Sequence, residues 1–200
     1  MIKLNKDPIN LVISGVGGQG NVIISLIIGN ALVNEGYFIT VGETYGVSQR
    51  GGSVMSHVKV STGRQYSPLI PSGQADIILG MEPVETLRIL DQFGNERVVT
   101  IVNPRPIHAI AMNGSDTYPD VATLIDLIAK LSAKIHIINA TEEAQKIGSP
   151  ILANMILIGA LAKIELLPIS EASLNMIIKQ MFPQDIDNNI RALHLGMELV

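Results

Sequence analysis

The 200-residue chain contains no cysteine and no tryptophan, and aromatic residues make up only 4% of it. Without cysteine, these residues cannot supply thiolate ligands to an iron–sulfur cluster, form a disulfide or use a thiol as a nucleophile. Any redox centre with which the chain works is therefore expected on another polypeptide.

Charge is also scarce, because charged residues make up 16% of the chain, against roughly a quarter in an average soluble protein. The net charge of −4 and the absence of any Lys/Arg cluster argue against nucleic acid as a partner. Apolar residues reach 47%, which leaves little charge to cover a free surface. We therefore expect another chain to cover part of this surface; a monomer with a large aliphatic core is the alternative.

The apolar stretches do not predict a membrane protein. Residues 22–33 and 151–164 are too short or too interrupted to cross a bilayer, and residues 1–8 are mixed polar rather than secretory. These features predict no membrane partner and a cytoplasmic location.

Apolar runs alternate with segments of helical periodicity, which predicts the α/β class. The expected architecture is a Rossmann-like three-layer α/β/α fold with a mainly parallel sheet and a helix over residues 83–93. Gly63 predicts a turn that joins residues 53–60 to residues 65–69 as an antiparallel hairpin at the sheet edge. Strands are predicted over residues 10–14, 37–41, 53–60, 75–80, 97–102 and 134–138.

The length predicts one domain over residues 1–200, with an α/β core over residues 1–140 and a helical C-terminal part over residues 141–200. Gly148, Ser149 and Pro150 are typical of a helix end followed by a new N-cap and first helical position. Residues 151–164 are apolar nearly all round, which predicts a buried helix. Further helices are predicted to begin at Ser170 and at Asp185 or Asp187.

The first functional motif is a glycine-rich loop between a predicted strand and a predicted helix, with Gly15, Gly17 and Gly20 in a G-x-G-x-x-G pattern. Glycine permits positive φ, and the following helix directs free N–H groups at an anion in the loop. Glu43 follows the next apolar run, where a dinucleotide-binding fold places its ribose-binding acid. The alternative is that the glycines merely let the helix pack closely on the strand.

The second motif is a long polar loop after the second predicted strand, where open α/β sheets place their ligands. Long ordered loops in compact domains often bind ligands or partners. The alternative is a surface turn with a solvated arginine. The residues singled out in this loop are Ser48, Gln49, Arg50, Gly51, Gly52 and Ser53.

Neither a catalytic residue nor a metal site is predicted. His57, His108, His136 and His194 lie far apart in the sequence, and no pair has metal-ligand spacing on a helix. A stand-alone dehydrogenase would need groups that position a substrate and move a proton, and none is evident. Glu43 or His57 could still reach a site shared with a partner.

Several motifs together resemble the small, gamma-type subunits of 2-oxoacid:ferredoxin oxidoreductases, in particular those of the indolepyruvate branch. The resemblance runs over nearly the whole chain. Its motifs lie at residues 15–20, 43–53, 66–71, 75–83, 153–155 and 159–161.

The resemblance implies oxidative decarboxylation of a 2-oxo acid, such as indolepyruvate or another aryl pyruvate. Coenzyme A and oxidised ferredoxin are the other substrates, and acyl-CoA, carbon dioxide and reduced ferredoxin are the products. In this family branch, thiamine diphosphate and the [4Fe-4S] clusters belong to a large partner subunit, and the small subunit is a Rossmann-like accessory chain of the heteromer.

On this interpretation the two loops hold the phosphates of coenzyme A near the subunit boundary, through Gly15, Gly17, Gly18, Gln19 and Gly20 and through residues 50–53. The competing hypothesis is that they only contact the partner subunit. Two other functions remain open: an NAD(P)-dependent reductase with Glu43 on the ribose, and a non-enzymatic module that binds an adenine nucleotide.

Overall fold

A computed structural model describes residues 4–45, 52–107 and 118–200. Its six strands form one sheet in the order β2-β3-β1-β4-β5-β6. The strands are β1 (Ile9–Val16), β2 (Phe38–Tyr45), β3 (Ser53–Ser61), β4 (Ile77–Gly80), β5 (Val99–Val102) and β6 (Lys134–Ile137). The helices are α1 (Asn21–Asn34), α2 (Pro83–Phe93), α3 (Val121–Leu131), α4 (Ala140–Lys146), α5 (Ala153–Lys163), α6 (Glu171–Met181) and α7 (Ile186–Glu198).

The sheet is mainly parallel, as the sequence predicts. β1, β4, β5 and β6 are parallel neighbours, whereas β3 pairs antiparallel with both β1 and β2. An antiparallel hairpin therefore lies at the sheet edge, but β2 and β3 form it.

The predicted pairing of residues 53–60 with residues 65–69 is wrong, because residues 65–69 form no strand. They cross the face of the sheet instead. A Cβ added to Gly42 would lie 2.9 Å from the Cβ of Pro68, so the segment rests on the face of β2 and does not extend its edge.

Alternate side chains of the strands enter two apolar layers. Leu11 and Ile13 of β1 face a cluster that α1 and α4–α7 complete, whereas Val12 faces a cluster with α2 and α3. Burial of both faces explains why the central strands read as continuous apolar runs. The three-layer α/β/α prediction is confirmed.

The C-terminal helices pack at close range. A Cβ on Gly159 of α5 would lie 2.0 Å from the carbonyl oxygen of Leu193, and one on Gly196 of α7 would lie 1.9 Å from that of Ile156. The predicted buried helix is present as a 3-10 turn, Pro150–Leu152, followed by α5. None of the helices in the described ranges has the length and apolar character that a membrane crossing requires.

The topology marks one place at the carboxyl end of the sheet. From β1 the chain continues into α1 on one face, and from β4 it continues into α2 on the other. Since β1 and β4 are adjacent and parallel, the boundary between them is the switch point at which open α/β sheets bind ligands.

Candidate functional site

The glycine loop occupies the β1 side of this switch point. β1 ends at Val16, and Gly18 and Gly20 then adopt φ angles of 103° and 95°, which L side chains rarely adopt. Gly20 is the N-cap of α1 and, as a glycine, provides no side-chain hydrogen bond to cap the helix. The first N–H groups of a helix have no intrahelical acceptor, so the start of α1 presents donors toward the loop.

Gln19 and Gly15 hold the shape of this loop. The Gln19 side chain accepts a hydrogen bond from the Val16 N–H at 2.7 Å and donates one to the Met81 carbonyl at 3.0 Å. A Cβ on Gly15 would lie 2.7 Å from Oε1 of Gln19. Gln19 therefore ties the end of β1 to the turn after β4, while an added Cβ on Gly18 would have no atom of the described residues within 4 Å.

The antiparallel pairing of β1 with β3 brings the end of the second motif to the glycine loop. The N–H of Gly17 donates to the carbonyl of Gly52 at 2.8 Å, and Ser53 pairs with Val16. Ser48, Gln49, Arg50 and Gly51 lie outside the described residues. The structure thus joins Gly52 and Ser53 to the predicted site.

Glu43 lies inside β2, rather than after the end of a strand as the sequence interpretation expected. Its carboxylate accepts hydrogen bonds from Ser25 at 2.7 Å and from Ser56 at 2.5 Å. Glu43 and Ile13 both pair with Ser56, so Glu43 is level with the middle of β1. β3 separates β2 from β1, and Glu43 lies apart from the glycine loop and fastens α1 to the sheet.

Asn154 lies within the motif at residues 153–155, for which no role at the site was predicted. It lies in the first turn of α5, is 7% exposed, and its Nδ2 would be 2.3 Å from a Cβ on Gly20. A side-chain amide thus borders the start of α1. The signal in the sequence was an asparagine within an otherwise apolar helix.

Asn21 begins α1 with its side chain turned inward. Its Nδ2 donates to the carbonyls of Ile13 and Val54 at 3.4 and 3.2 Å. These two bonds pin the first residue of α1 to β1 and β3, and so fix the direction of the helix N-terminus.

Glu82 occupies the β4 side of the switch point and is 1% exposed. Its Oε2 accepts the Glu85 N–H at 2.8 Å, which caps α2, and its Oε1 accepts from the Tyr118 hydroxyl. Burial raises the pKa of Glu82, although the hydrogen bonds from Tyr118, Glu85 and Ile107 oppose that shift. Burial and the bond to Glu82 also raise the pKa of Tyr118.

The described histidines do not converge on the switch point. His57 accepts the Ile70 N–H at 3.4 Å and contacts Phe93 edge-on, and burial lowers its pKa, with a smaller effect from Lys59. Burial also lowers the pKa of His136. His194 pairs with Glu171 at 2.9 Å near the C-terminus, and His108 lies outside the described residues. Across the described ranges, no group of three or more acidic or histidine side chains could hold a metal ion.

Two cavities flank the sheet at opposite ends. One of about 240 Å³ lies beyond the carboxyl ends of β5 and β6, beside Asn103 and Arg105. Another of about 610 Å³ lies at the amino end, where Lys6 and Asp76 form an ion pair at 2.6 Å near Arg97. The smaller cavity lies at the same carboxyl end of the sheet as the glycine loop. Asn103 connects the two, because its side chain donates a hydrogen bond to the Met81 carbonyl at 3.3 Å.

Residues 10–199 match the family described as pyruvate ferredoxin/flavodoxin oxidoreductase. The chain is 35% identical over 192 residues to indolepyruvate oxidoreductase subunit IorB of Thermococcus kodakarensis, with 94% of each chain covered. The keto/oxoacid ferredoxin oxidoreductase gamma subunit of Geobacter sulfurreducens has a similar fold, with a TM-score of 0.70, 21% identity, and 96% and 97% of the two chains covered.

A larger chain also contains this fold. The 2-oxoglutarate:ferredoxin oxidoreductase of Magnetococcus marinus, solved with 2-oxoglutarate, coenzyme A and succinyl-CoA, matches 98% of this chain with 31% of its own length. The TM-score is 0.74 at 20% identity, so the likeness is one of fold.

Proposed function

This chain belongs to the pyruvate ferredoxin/flavodoxin oxidoreductase family, and from that premise we propose that it is the accessory subunit of a thiamine-diphosphate-dependent 2-oxoacid:ferredoxin oxidoreductase. We propose indolepyruvate or another aryl pyruvate as the 2-oxo acid. The observation that carries this proposal is the end-to-end match with an indolepyruvate oxidoreductase subunit, which covers 94% of both chains.

The proposed division of labour follows from the residues available. These 200 residues contain no cysteine, so thiolate-held iron–sulfur clusters require a partner chain. Thiamine diphosphate, which would supply the carbanion chemistry, is assigned to the same large subunit. The isolated small subunit is then inactive, with no catalytic acid or base of its own, and the complex works in the cytoplasm and passes electrons to ferredoxin.

We assign coenzyme A to the carboxyl end of the sheet, where it would supply the thiol that accepts the acyl group. The donors at the start of α1 and the Nδ2 of Asn154 suit a phosphate, and no atom of the described residues lies close enough to Gly18 to exclude one. Residues 50–53 would add the Arg50 guanidinium, and a larger chain that contains this fold, from Magnetococcus marinus, was solved with coenzyme A bound. Gln19 and Gly15 would hold the glycine loop in this conformation.

The alternative of a stand-alone NAD(P)-dependent reductase gains less support from the geometry. A ribose-binding acid should lie beside the glycine loop, whereas the Glu43 carboxylate is bonded to Ser25 and Ser56. Calorimetry of the isolated chain with NAD⁺ and NADP⁺ tests this alternative. Binding in the micromolar range would favour the reductase over the proposed role. Binding of ATP or AMP instead would favour a non-enzymatic module that binds an adenine nucleotide.

Reconstitution tests the proposed role. The chain, tagged and expressed in its native cell, should co-purify with a cysteine-rich, thiamine-containing protein. The recombined pair should reduce ferredoxin with an aryl pyruvate and coenzyme A, while each component alone should not. Turnover by the 200-residue chain without a partner would contradict the proposal.

The coenzyme A site is tested separately, by titrating coenzyme A into the assembled complex. Arg50→Ala and Asn154→Ala should each raise the KM for coenzyme A several-fold and leave the KM for the 2-oxo acid unchanged. Arg97→Ala is the matched control, because Arg97 lines the cavity at the opposite end of the sheet. If neither variant changes the affinity for coenzyme A, the loops serve only as contacts with the partner.

A further inference from the structure

The two edges of the sheet differ in how they are protected. β6 is four residues long and begins with Lys134, and short, charged strands discourage pairing with other chains. β2 is eight residues long, and within the described residues no strand pairs with its outer side. Its one charged residue, Glu43, is bonded inward to Ser25 and Ser56, so β2 itself presents no charged group that would protect this edge.

The helix beside this edge has an exposed apolar stripe. α1 contains no charged residue, and it is hydrophobic almost all round, which is typical of a helix that is covered on every side. Leu26 and Val33 are nevertheless 42% and 54% exposed, and Asn30, also exposed, lies between them. Because these residues are spaced by one and two helical turns, they form one line along the helix.

The stripe and the strand share a centre. A Cβ on Gly29 would lie 3.6 Å from Ile39 and 3.7 Å from Val41, so the middle of α1 is level with the middle of β2. One two-fold axis could therefore pass beside Val41 and beside Asn30 together. That axis would set Leu26 against Val33 of a second copy. It would bring no two like charges of α1 or β2 face to face.

We propose that the β2 edge and the α1 stripe form a homodimer interface, in which β2 pairs antiparallel with β2 of a second copy. The two sheets would then form one continuous sheet, and the two α1 helices would pack on the same face of it. α1 lies across β2 and β3. With strands about 4.8 Å apart, the two helices would be about 10 Å apart, which is a normal helix-packing distance.

This dimer leaves both glycine loops accessible. Antiparallel pairing of the β2 strands directs the carboxyl ends of the two sheets to opposite ends of the dimer, so each switch point could still meet another subunit. The proposal does not rest on the oxidoreductase role, since it concerns self-association of this chain alone. A strand of a different protein is the competing occupant of the edge.

Light scattering coupled to size exclusion tests the dimer on the full 200-residue chain. The wild type should elute with twice the 21.5 kDa chain mass, and Leu26→Lys should halve the measured mass. Leu127→Lys is the matched control, because Leu127 of α3 is 40% exposed on the other face. Circular dichroism shows whether each variant is folded. A monomeric wild type, or an equal loss of dimer in the control, would overturn the proposal.

Cross-linking tests the position of the axis. Since the chain has no cysteine, a short bismaleimide can join only introduced thiols. Asn30→Cys should give a covalent dimer in high yield, whereas Leu127→Cys should give little. Asn30 is on the surface, so the substitution should not disturb folding. Equal yields for the two variants would show that the α1 stripe is not where the copies meet.

Discussion

Helices α1 and α2 begin side by side at the carboxyl ends of two adjacent parallel strands, yet their N-termini are built in opposite ways. Glu82 caps α2 through its side chain, Pro83 takes the first position and Glu85 adds a carboxylate in the first turn. Gly20 caps α1 without a side-chain hydrogen bond, and the first turn of α1 contains no acid. The positive end of the α2 dipole is thus neutralised by acidic residues of its own first turn and cap, whereas the positive end of the α1 dipole has no such residue.

The difference does not make α1 a weak helix. Ile24, Ile27 and Ile28 are fully buried, and in proteins most helix stability comes from packing rather than from local preferences. Because packing holds α1 in place, its N-terminus can dispense with a cap. The amphipathic α2 packs on one face only, and its N-terminus is fixed by the carboxylate of Glu82.

The largest expected effect comes from removing the cap of α2. Glu82→Ala deletes the acceptor of the Glu85 N–H and of the Tyr118 hydroxyl, and it should lower the free energy of unfolding by about 2–4 kcal/mol. Urea denaturation followed by circular dichroism measures this loss. Glu82→Gln keeps an acceptor oxygen and should lose less. If Ala and Gln cost the same small amount, Glu82 does not hold α2.

A smaller effect is expected at the glycines before α1. Gly18 and Gly20 have nearly equal positive φ, so Ala at either position should cost about 1–2 kcal/mol of backbone strain. Gly20→Ala should cost more than Gly18→Ala, because its Cβ would displace the Asn154 amide. Urea denaturation of both variants checks the order.

The double variant Gly20→Ala with Asn154→Ala isolates that contact. Removing the amide should return the cost of Gly20→Ala to that of Gly18→Ala. An unchanged difference between the two glycine variants would mean that Asn154 does not press on the start of α1.

The buried cap should also make the stability depend on pH. Because burial raises the pKa of Glu82 above its ordinary 4.5, the unfolded chain loses this proton at a lower pH than the folded chain does. The part of the stability that comes from the raised pKa of Glu82 is therefore fully present below pH 4.5 and is lost as the pH rises through the folded pKa.

Urea denaturation between about pH 4 and about pH 8 measures this dependence, with Glu82→Gln as the reference that cannot titrate. The wild type should lose stability relative to the Gln variant as the pH rises, and shifts from other carboxylates cancel in the difference. If the wild type instead gained stability relative to the Gln variant as the pH rises, Glu82 would ionise more readily in the folded chain.

The sequence predicts regular elements well and long-range placement poorly. The helix over residues 83–93 matches α2, and the predicted start at Ser170 matches the N-cap of α6. Of the two predicted starts of the last helix, Asp185 is the N-cap of α7 and Asp187 lies in its first turn. These signals are local, because each comes from a proline, a capping residue or a periodic run. Helix α3 has no counterpart among the predicted elements.

The position of β3 could not be read from local signals. Its alternating pattern predicts a strand, but not that it inserts between β1 and β2. That insertion moves Glu43 away from the glycine loop and brings Gly52 to it. Asn154 joins the loop from 134 residues further along the chain than Gly20, and only the packing of α5 against α1 creates this contact.

The smallest expected effect comes from giving α1 the acid that α2 already has. Val22, in the first turn of α1, is partly exposed, so Val22→Glu places a carboxylate in the first turn of α1, one position earlier than Glu85 in α2. It should be more stable than the matched Val22→Gln by about 0.3–1 kcal/mol, because the charge meets the positive helix end. Urea denaturation at low ionic strength measures the difference.

The same pair of variants connects stability to function. If the start of α1 is kept free of acids for an anionic ligand, Val22→Glu should weaken coenzyme A binding by the assembled complex relative to Val22→Gln, and added salt should reduce the difference. A carboxylate that stabilises the helix and leaves coenzyme A binding unchanged would separate the two properties. The open N-terminus of α1 would then be a tolerated gap in a well-packed helix, and the contrast with α2 would concern folding alone.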